Sequence, residues 1–446
     1  MMAAQKRKGL LFANDRFGYY PDSFYAATAN LLPEQPVLQG HETCDVCIVG
    51  AGYTGLSAAL HLARRGFAVR VLEAHRIGWG ASGRNGGQLG SGQRLEQHEL
   101  EDLVGVTRAR ALWDLSEESK ALVKGLIAEE KIDCAYKPGV LHADHKASYS
   151  RFSRDYVEKL ERDYGYQHLT FLNRDAVAEQ LGAQGYFSGV LDRDAGHLNP
   201  LKFCLGLGRA ALKAGAVVHE RSPVLDWSSV SLRGGEQGYR IKTPEGSVSA
   251  RHLVLACNGY LERLNRAVAR RIMPINNFIV ATEPLGEAVA RSLIRDDVAV
   301  ADSRFVINYY RLSEDRRLLF GGGENYRYRF PSDIRSFVKK PLLEVYPQLE
   351  GTGLDFGWGG TLGITRNRMP VFMKPERNLW TACGFSGHGL GMATLSGKLL
   401  AEAIDGTESR FDLMASVPSP VFPGGTLLRW PLLVLAMSWF ALRDRL

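Results

Sequence analysis

The chain has 446 residues, 45% hydrophobic and 23% charged, an ordinary globular balance that excludes a disordered or collagen-like protein. Its length suggests roughly two to four compact units and a core that needs neither disulfides nor a structural metal. With 55 Lys and Arg against 48 Asp and Glu the net charge is +7, and no basic cluster beyond Lys6-Arg7-Lys8 points to a nucleic-acid partner.

Residues 1–42 are polar and aromatic, with Pro21, Pro33 and Pro36 breaking any long element, and read as an ordered arm or a tether. The apolar stretch after Lys6-Arg7-Lys8 is too short for a secretory signal core. Asp45-Val46-Cys47-Ile48-Val49 has the character of a buried parallel strand. Leu56, Ala59, Leu60 and Ala63 recur at helical spacing and predict a helix over 55–65, stopped by Gly66. A second strand over 68–72 ends at Glu73 and completes a βαβ unit. Residues 100–180 read as mostly helical, and 186–200 as turn-rich. A helix over 203–214, stopped by Gly215, leads into a strand at Val217-Val218-His219. Alternating segments at 239–256 and 270–282, with strand-like runs over 304–323, predict an antiparallel sheet. A last helix covers 390–404. The six cysteines are scattered, which fits a reducing compartment.

Gly50-Ala51-Gly52-Tyr53-Thr54-Gly55 fits G-x-G-x-x-G between a predicted strand and a predicted helix, and Glu73 stands at the end of the next strand. Gly50 would make the turn, Gly52 would admit a pyrophosphate, and Gly55 would let helix and strand pack. The anion would sit on the helix N-terminus at Tyr53 and Thr54. Glu73, with Ala74 beside it, would accept from ribose hydroxyls. The loop Gly78-Trp79-Gly80-Ala81-Ser82-Gly83-Arg84-Asn85-Gly86-Gly87-Gln88 is polar and glycine-dense, suited to lie against something flat or anionic. The glycines reach 48, about 11% of the chain against a usual ~7%, and these segments absorb part of the excess.

Here the sequence resembles the D-amino-acid oxidase/glycine oxidase family of FAD enzymes, which carries an A-S-G-x-N-x-G stretch after the second strand. Ala256-Cys257-Asn258-Gly259 resembles the family's turn beside the cofactor, and Val224 the position whose backbone meets the adenine. Gly384-Phe385-Ser386-Gly387-His388-Gly389-Leu390 is similar to the family's C-terminal signature, where a helix N-terminus points at the flavin. Further similarity to the gamma-glutamylputrescine oxidoreductase-like subgroup runs through Tyr309-Tyr310-Arg311-Leu312, Leu318 to Gly323 and the tail from Phe422. Bacterial L-pipecolate oxidases share the broad family.

The resemblance implies an α/β fold, with a Rossmann-like FAD domain and an α+β substrate domain on an antiparallel sheet. The expected division is an arm at 1–42, an FAD domain at 43–100, 186–260 and 355–410, a substrate domain at 101–185 and 261–354, and a tail at 411–446. It implies oxidation of a carbon–nitrogen bond to an imine, with hydride passing to flavin N5. The expected substrate is a small amino or imino acid such as L-pipecolate; the alternative is a polyamine derivative such as gamma-glutamylputrescine, and a remoter one a non-catalytic flavin-binding protein. Cofactor contacts are expected from Gly50, Gly52, Tyr53, Thr54, Gly55, Glu73, Ala74, Gly80, Ala81, Ser82, Arg84, Asn85, Gly86, Gly87 and Gln88. Val224, Cys257, Asn258, Gly259, Gly360, Gly384, Ser386, Gly387, His388, Gly389 and Leu390 complete that set. Tyr309, Tyr310, Arg311, Trp358 and His388 are placed near substrate, with Arg311 either facing a substrate carboxylate or standing on the strand surface, and Trp358 either walling the pocket or packing in the core.

Three departures from the family pattern carry expectations. Asn367 replaces the carboxylate of a T-x-D-x-x-P turn at 365–370. No cysteine lies between 358 and 374, which implies non-covalent FAD, and no lysine between 305 and 335, which weakens the case for oxygen against a quinone as acceptor. Cys44-Asp45-Val46-Cys47 has redox spacing but starts a strand, where a thiol is not activated. The apolar stretch 431–442, flanked by Trp430, Trp439, Arg429, Arg443 and Arg445, is too short to span a bilayer and suggests either a monotopic contact through 427–446 or a helix packed on the core or in an oligomer interface. The location expected is cytoplasmic, with that tail on the inner membrane face.

Overall fold

The computed structural model describes residues 9–232, 234–325 and 328–426. The first sheet grows around Gly40–Val49, whose Val46, Cys47 and Ile48 are fully buried. This strand runs parallel to Val69–Leu72 on one side and to Gly246–Leu255 on the other. Val217–His219 extends the parallel ladder at one edge and Leu379–Cys383 at the other. Val371–Glu376 pairs antiparallel beyond, and a hairpin of Asp226–Ser231 and Gln237–Lys242 attaches to Gly246–Leu255.

Helices Tyr53–Ala63, Pro200–Lys213 and Gly389–Ile404 pack together with this sheet in one core. Leu56, Leu60 and Leu62 are fully buried there, each contributing roughly 1.5–3 kcal/mol. Pro200 pre-sets the first turn of its helix, and Asn199 Oδ1 caps it by accepting from Lys202 N at 3.1 Å.

Among the described residues the second sheet has nine strands, in the order Leu354–Ile364, Met273–Thr282, Leu318–Asn325, Tyr309–Leu312, Ala299–Asp302, Lys137–Asp144, Ser188–His197 and Gln88–Leu89, with Leu169–Leu172 beside Ser188–His197. It is antiparallel except where Ala299–Asp302 runs alongside Lys137–Asp144. One face holds a core of Leu141, Val300, Tyr310, Phe320 and Val280; the opposite face carries the side chains described below.

Several expectations need correction. Residues 188–197 form a ten-residue strand rather than turns. Its Gly189 and Gly196 are close approaches to the neighbouring strand, where a Cβ would lie 2.7 Å from His142 O and from Lys137 O respectively. Asp192 is buried but accepts from Tyr166 OH at 2.8 Å and from two backbone amides. Lys137–Asp144 and Leu169–Leu172 are strands inside the stretch read as helical. The segments 188–197 and 354–364 therefore belong to the second sheet.

Residues 9–42 form an ordered arm and not a tether. Gly18 N donates to His75 Nδ1 at 3.2 Å, Tyr20 OH to Ile77 O at 2.7 Å, and Asp15 pairs with Arg84 at 2.9 Å. Among the described residues no helix is long and apolar enough to cross a membrane; the tail segment 427–446 lies outside them.

Candidate active site

Four parallel strands end at one edge of the first sheet, and the predicted motifs follow directly from their last residues: Val49, Leu72, Leu255 and Cys383. A crevice at strand ends is where such sheets bind ligands. Gly50 has φ 106°, and a side chain there would lie 2.8 Å from Ala256 O. At Gly55 a Cβ would fall 1.9 Å from Gly50 O, so only glycine lets the helix start this close to the turn. The helix beginning at Tyr53 has no side-chain cap from Gly52; Tyr53 N donates to Ser82 Oγ at 3.1 Å, and Thr54 is buried in the same turn.

Glu73 is buried, with Ala74 next along the chain. Its carboxylate accepts from Ala51 N at 2.8 Å and His75 N at 2.9 Å. Burial pushes its pKa up to about 7 against those two donors, and Glu220 adds to the rise. Val224 lies two residues after Ser222, whose N–H donates to Glu73 O at 2.8 Å, so it borders the same edge.

The loop over 78–88 is knitted by Asn85, whose Nδ2 donates to Ala81 O at 3.0 Å and Ser82 O at 3.1 Å while Oδ1 accepts from Gly87 N at 2.8 Å. Arg84 donates to Trp79 O at 2.6 Å and Gly359 O at 3.0 Å, and its guanidinium lies 4.4 Å over the Trp79 ring. Gly80 faces the Tyr260 ring, Gly360 packs against Arg84, and Gln88 Nε2 donates to Val300 O at 2.8 Å. The other turns converge here too. Cys257 Sγ reaches Val49 O at 3.5 Å, Asn258 Oδ1 accepts from Gly384 N at 2.8 Å, and Gly259 abuts Leu362 O. Ser386 N donates to Gly363 O at 3.0 Å, Gly387 has φ 87°, and Gly389-Leu390 opens a helix that His388 leaves without a side-chain cap.

The second sheet closes over these motifs with one face. Cα pairing places Val190, His142, Ala301, Tyr309, Gly321, Ile279 and Trp358 in one row across it. Directly paired residues project to the same side. The Tyr309 ring packs against Gly86 and Gly321, and its hydroxyl donates to Asn277 Oδ1. Trp358 is buried and donates from Nε1 to Arg84 O at 3.0 Å.

Alternation sends Tyr310 to the other side, where it stacks on Phe320 with centroids 5.4 Å apart. That corrects the expectation of Tyr310 near substrate. Arg311 shares Tyr309's face, but its guanidinium donates to Gly86 O at 2.9 Å, Leu312 O at 3.3 Å and Tyr25 OH at 3.3 Å. It is buried as a brace between the glycine loop and the arm, with Nε, Nη1 and Nη2 each donating one hydrogen bond.

His388 donates from Nε2 to Gly92 O at 2.9 Å, leaving Nδ1 as the acceptor, and its ring packs against Gly90. Burial, reinforced by Arg94, lowers its pKa to about 4, so the ring is neutral at neutral pH. Two further residues belong with it and were not read from the sequence. Arg94 donates from Nε to Ser386 O at 3.2 Å. His142 is accessible to solvent, neither ring nitrogen has a hydrogen-bond partner among the described residues, and the surrounding protein and Arg94 lower its pKa. No signal marked either in the sequence: His142 sits in a strand read as helix, and Arg94 in a loop with no motif.

The sequence profile describing FAD dependent oxidoreductases, DAO, matches residues 45–403. The chain belongs to this family of FAD-dependent oxidoreductases. It is 41% identical over 423 residues to a probable oxidoreductase OrdL of Rhizobium meliloti, covering 95% of this chain and 97% of that one. It is 38% identical over 428 residues to the gamma-glutamylputrescine oxidoreductase of Escherichia coli, covering 96% and 99%. The fold is also that of glycine oxidase from Geobacillus kaustophilus, with TM-score 0.70 and 21% identity over 85% of this chain and all of that one. The oxidoreductase thus shares its two-sheet architecture with known flavoenzymes.

The residues at the strand ends fit FAD. The helix N-terminus that follows Gly52, where the N-cap residue has no side chain to fill the approach, suits a pyrophosphate. Glu73 suits a ribose, whose hydroxyls would offset its buried charge. Trp79 Nε1 and Arg84 Nη2, both in the loop, are buried donors without a partner among the described residues and fit acceptors on a bound cofactor.

Proposed function

We propose that this oxidoreductase oxidises the carbon–nitrogen bond of a small amine or amino acid to an imine. The observation that carries the reading is the closure of one sheet face on the cofactor motifs: Tyr309 packs on Gly86 of the glycine loop, and His142 is close enough to His388 to disfavour its charged form. Bound FAD supplies the two-electron acceptor for the hydride. In the substrate the C–H bond beside nitrogen breaks, the nitrogen lone pair forms the C=N bond, and a nitrogen proton is then lost.

That chemistry requires a neutral amine. Arg94 stands near His388, with Arg368 near Arg94, and their positive charge disfavours a bound ammonium, which lowers the amine's own pKa. Neutral His388 can accept a hydrogen bond at Nδ1 without adding a charge. Tyr309 shapes the face opposite, and buried Trp358 holds Arg84 and the loop in place. The cofactor-binding set is the one assembled at the strand ends. Burial raises the thiols of Cys44, Cys134 and Cys383 to about 12, which supports non-covalent FAD.

The relative named gamma-glutamylputrescine oxidoreductase, similar nearly end to end, supports a polyamine derivative over L-pipecolate as substrate. The lack of lysine from 305 to 335 favours an acceptor other than oxygen. The test is a panel of amino acids, imino acids and polyamine derivatives mixed anaerobically with the holoenzyme, followed by reoxidation with oxygen or a soluble quinone. Bleaching by a panel member and recovery of its imine product support the reading. A flavin that no member bleaches removes its basis.

A further inference from the structure

The closing sheet face carries His142, which is accessible and has neither ring nitrogen bonded among the described residues. Ala301 pairs with His142 on one side and with Tyr309 on the other, so the imidazole shares the face of Tyr309 two strands away, about 10 Å. Val140, two residues before His142, pairs with Asp192, which puts the Asp192 side chain on the same face as a diagonal neighbour. Burial lowers the His142 pKa and Arg94 adds to this, against Asp192 and Asp144. With His388 also neutral nearby, the His142 ring is uncharged at neutral pH and open to a proton.

Asp192 begins a hydrogen-bonded chain that runs to the surface. It accepts from Ser91 Oγ at 2.5 Å and from Tyr166 OH at 2.8 Å. Buried Lys120 donates from Nζ to the same Ser91 Oγ at 2.6 Å and to Tyr166 OH at 2.9 Å. Its Nζ also pairs with Asp194 at 2.7 Å and Glu117 at 2.8 Å, and partly exposed Asp194 meets Lys124 beyond. Ser91 donates at one end of its hydroxyl and accepts at the other, as a group that hands a proton on must do.

We propose that His142 takes the proton a substrate ammonium sheds before its C–H bond breaks, and that Asp192, Ser91, Lys120 and Asp194 pass it to solvent. The proposal rests on the amine-oxidation reading and adds the proton's route to it. An N–H bond of the ammonium breaks, the proton bonds to a His142 ring nitrogen, and the electron pair stays on the amine to form the C=N bond later. His142 yields the proton to Asp192 through one bridging water, across a diagonal spacing of about 7–8 Å between strands. Asp192 passes it to Ser91, whose own proton moves to Lys120 as Lys120 gives one to Asp194, which exchanges with water. Each group ends in the protonation state it began with.

The test is anaerobic stopped-flow of the holoenzyme with the panel amine that bleaches the flavin, in weak buffer with a pH-indicator dye. The flavin band and the released protons are read together, and in the wild type they are expected in step. His142→Asn is expected to slow flavin reduction about 100-fold or more near pH 7 and to recover toward pH 9. The variant must capture free amine, about one part in a thousand near pH 7 for an alkylamine of pKa about 10. Added imidazole is expected to restore part of the rate. In Ser91→Ala the proton signal is expected to trail the flavin signal by about tenfold or more. A His142→Asn profile parallel to that of the wild type, or a loss that neither pH nor imidazole restores, overturns the proposal. So do signals still in step in Ser91→Ala. If His142→Asn does not retain FAD, Ser91→Ala decides alone. If no panel amine reduces the flavin, the amine-oxidation reading fails and the proposal with it; an amine that reduces wild type and variants alike defeats the proposal only.

Discussion

Substituting Glu73 by Gln separates two effects that the buried carboxylate combines. Glu73 is 8% exposed, and burial raises its pKa from the ordinary 4.5 to about 7. Below pH ~4.5 the carboxyl is neutral in both folded and unfolded chains and carries no penalty. As pH rises from there to about 7, the unfolded chain ionises first and the folded apoprotein loses stability. A tenfold difference in proton affinity between the two states is worth about 1.4 kcal/mol, so the loss reaches a ceiling of about 3 kcal/mol and is constant at higher pH.

Glu73→Gln abolishes this pH-dependent loss. It also leaves one carbonyl oxygen for the two amides of Ala51 and His75, a pH-independent cost of about 1 kcal/mol. Relative to wild type, the variant apoprotein should therefore gain up to about 3 kcal/mol between pH 4.5 and 8, measured by denaturant unfolding at both values. Its FAD affinity, followed by quenching of flavin fluorescence, should fall about 10–100-fold through loss of a charged acceptor for the ribose. A stability difference that is the same at both pH values, or unaltered FAD affinity, would refute the reasoning.

Gly55→Ala drives a methyl against Gly50 O from 1.9 Å, and the carbonyl must retreat by about 1 Å. A cost of about 1–3 kcal/mol and purification largely without flavin are expected, checked by Tm and by the flavin-to-protein ratio; a full complement of flavin contradicts this. Arg311→Leu removes three hydrogen bonds, one to the glycine loop and one to the arm, and should lower stability by about 2–4 kcal/mol. Its effect on KM for a carboxylate-bearing amine should be small; a large rise in KM with the fold retained would assign Arg311 to the substrate. With a pKa of about 4, His388 should leave no inflection in flavin reduction between pH 5 and 8. An inflection in that range that disappears in His388→Asn would contradict its neutral state.

The nucleotide end was legible in the sequence because its determinants are local. Gly50, Gly52, Gly55 and Glu73 lie in one strand–turn–helix–strand unit, and the predicted helix and strands differ from the observed Tyr53–Ala63, Val69–Leu72 and Gly40–Val49 mainly at their ends. The substrate sheet was only partly legible. Ser188–His197 carries two glycines and two aspartates, whose turn preference is overridden by a close neighbour strand and by donors from distant Tyr166 and Ser91. Tyr309-Tyr310-Arg311 reads as one block, but strand alternation splits it across two faces. Arg311's role depends on Gly86 O and Tyr25 OH, both more than 200 residues away along the chain. His142 and Arg94 reach His388 only through the tertiary fold, a property that no local pattern encodes.

The claim at the centre of this account is that the chain breaks a C–H bond beside an amine nitrogen and delivers the electrons to FAD. It is tested most directly by anaerobic stopped-flow reduction of the holoenzyme with gamma-glutamylputrescine, protiated or deuterated at the carbon to be oxidised. The account predicts single-exponential loss of the oxidised flavin band, slower for the deuterated substrate, with an imine recovered. Flavin that stays oxidised with this substrate and with every other amine in the panel would contradict it.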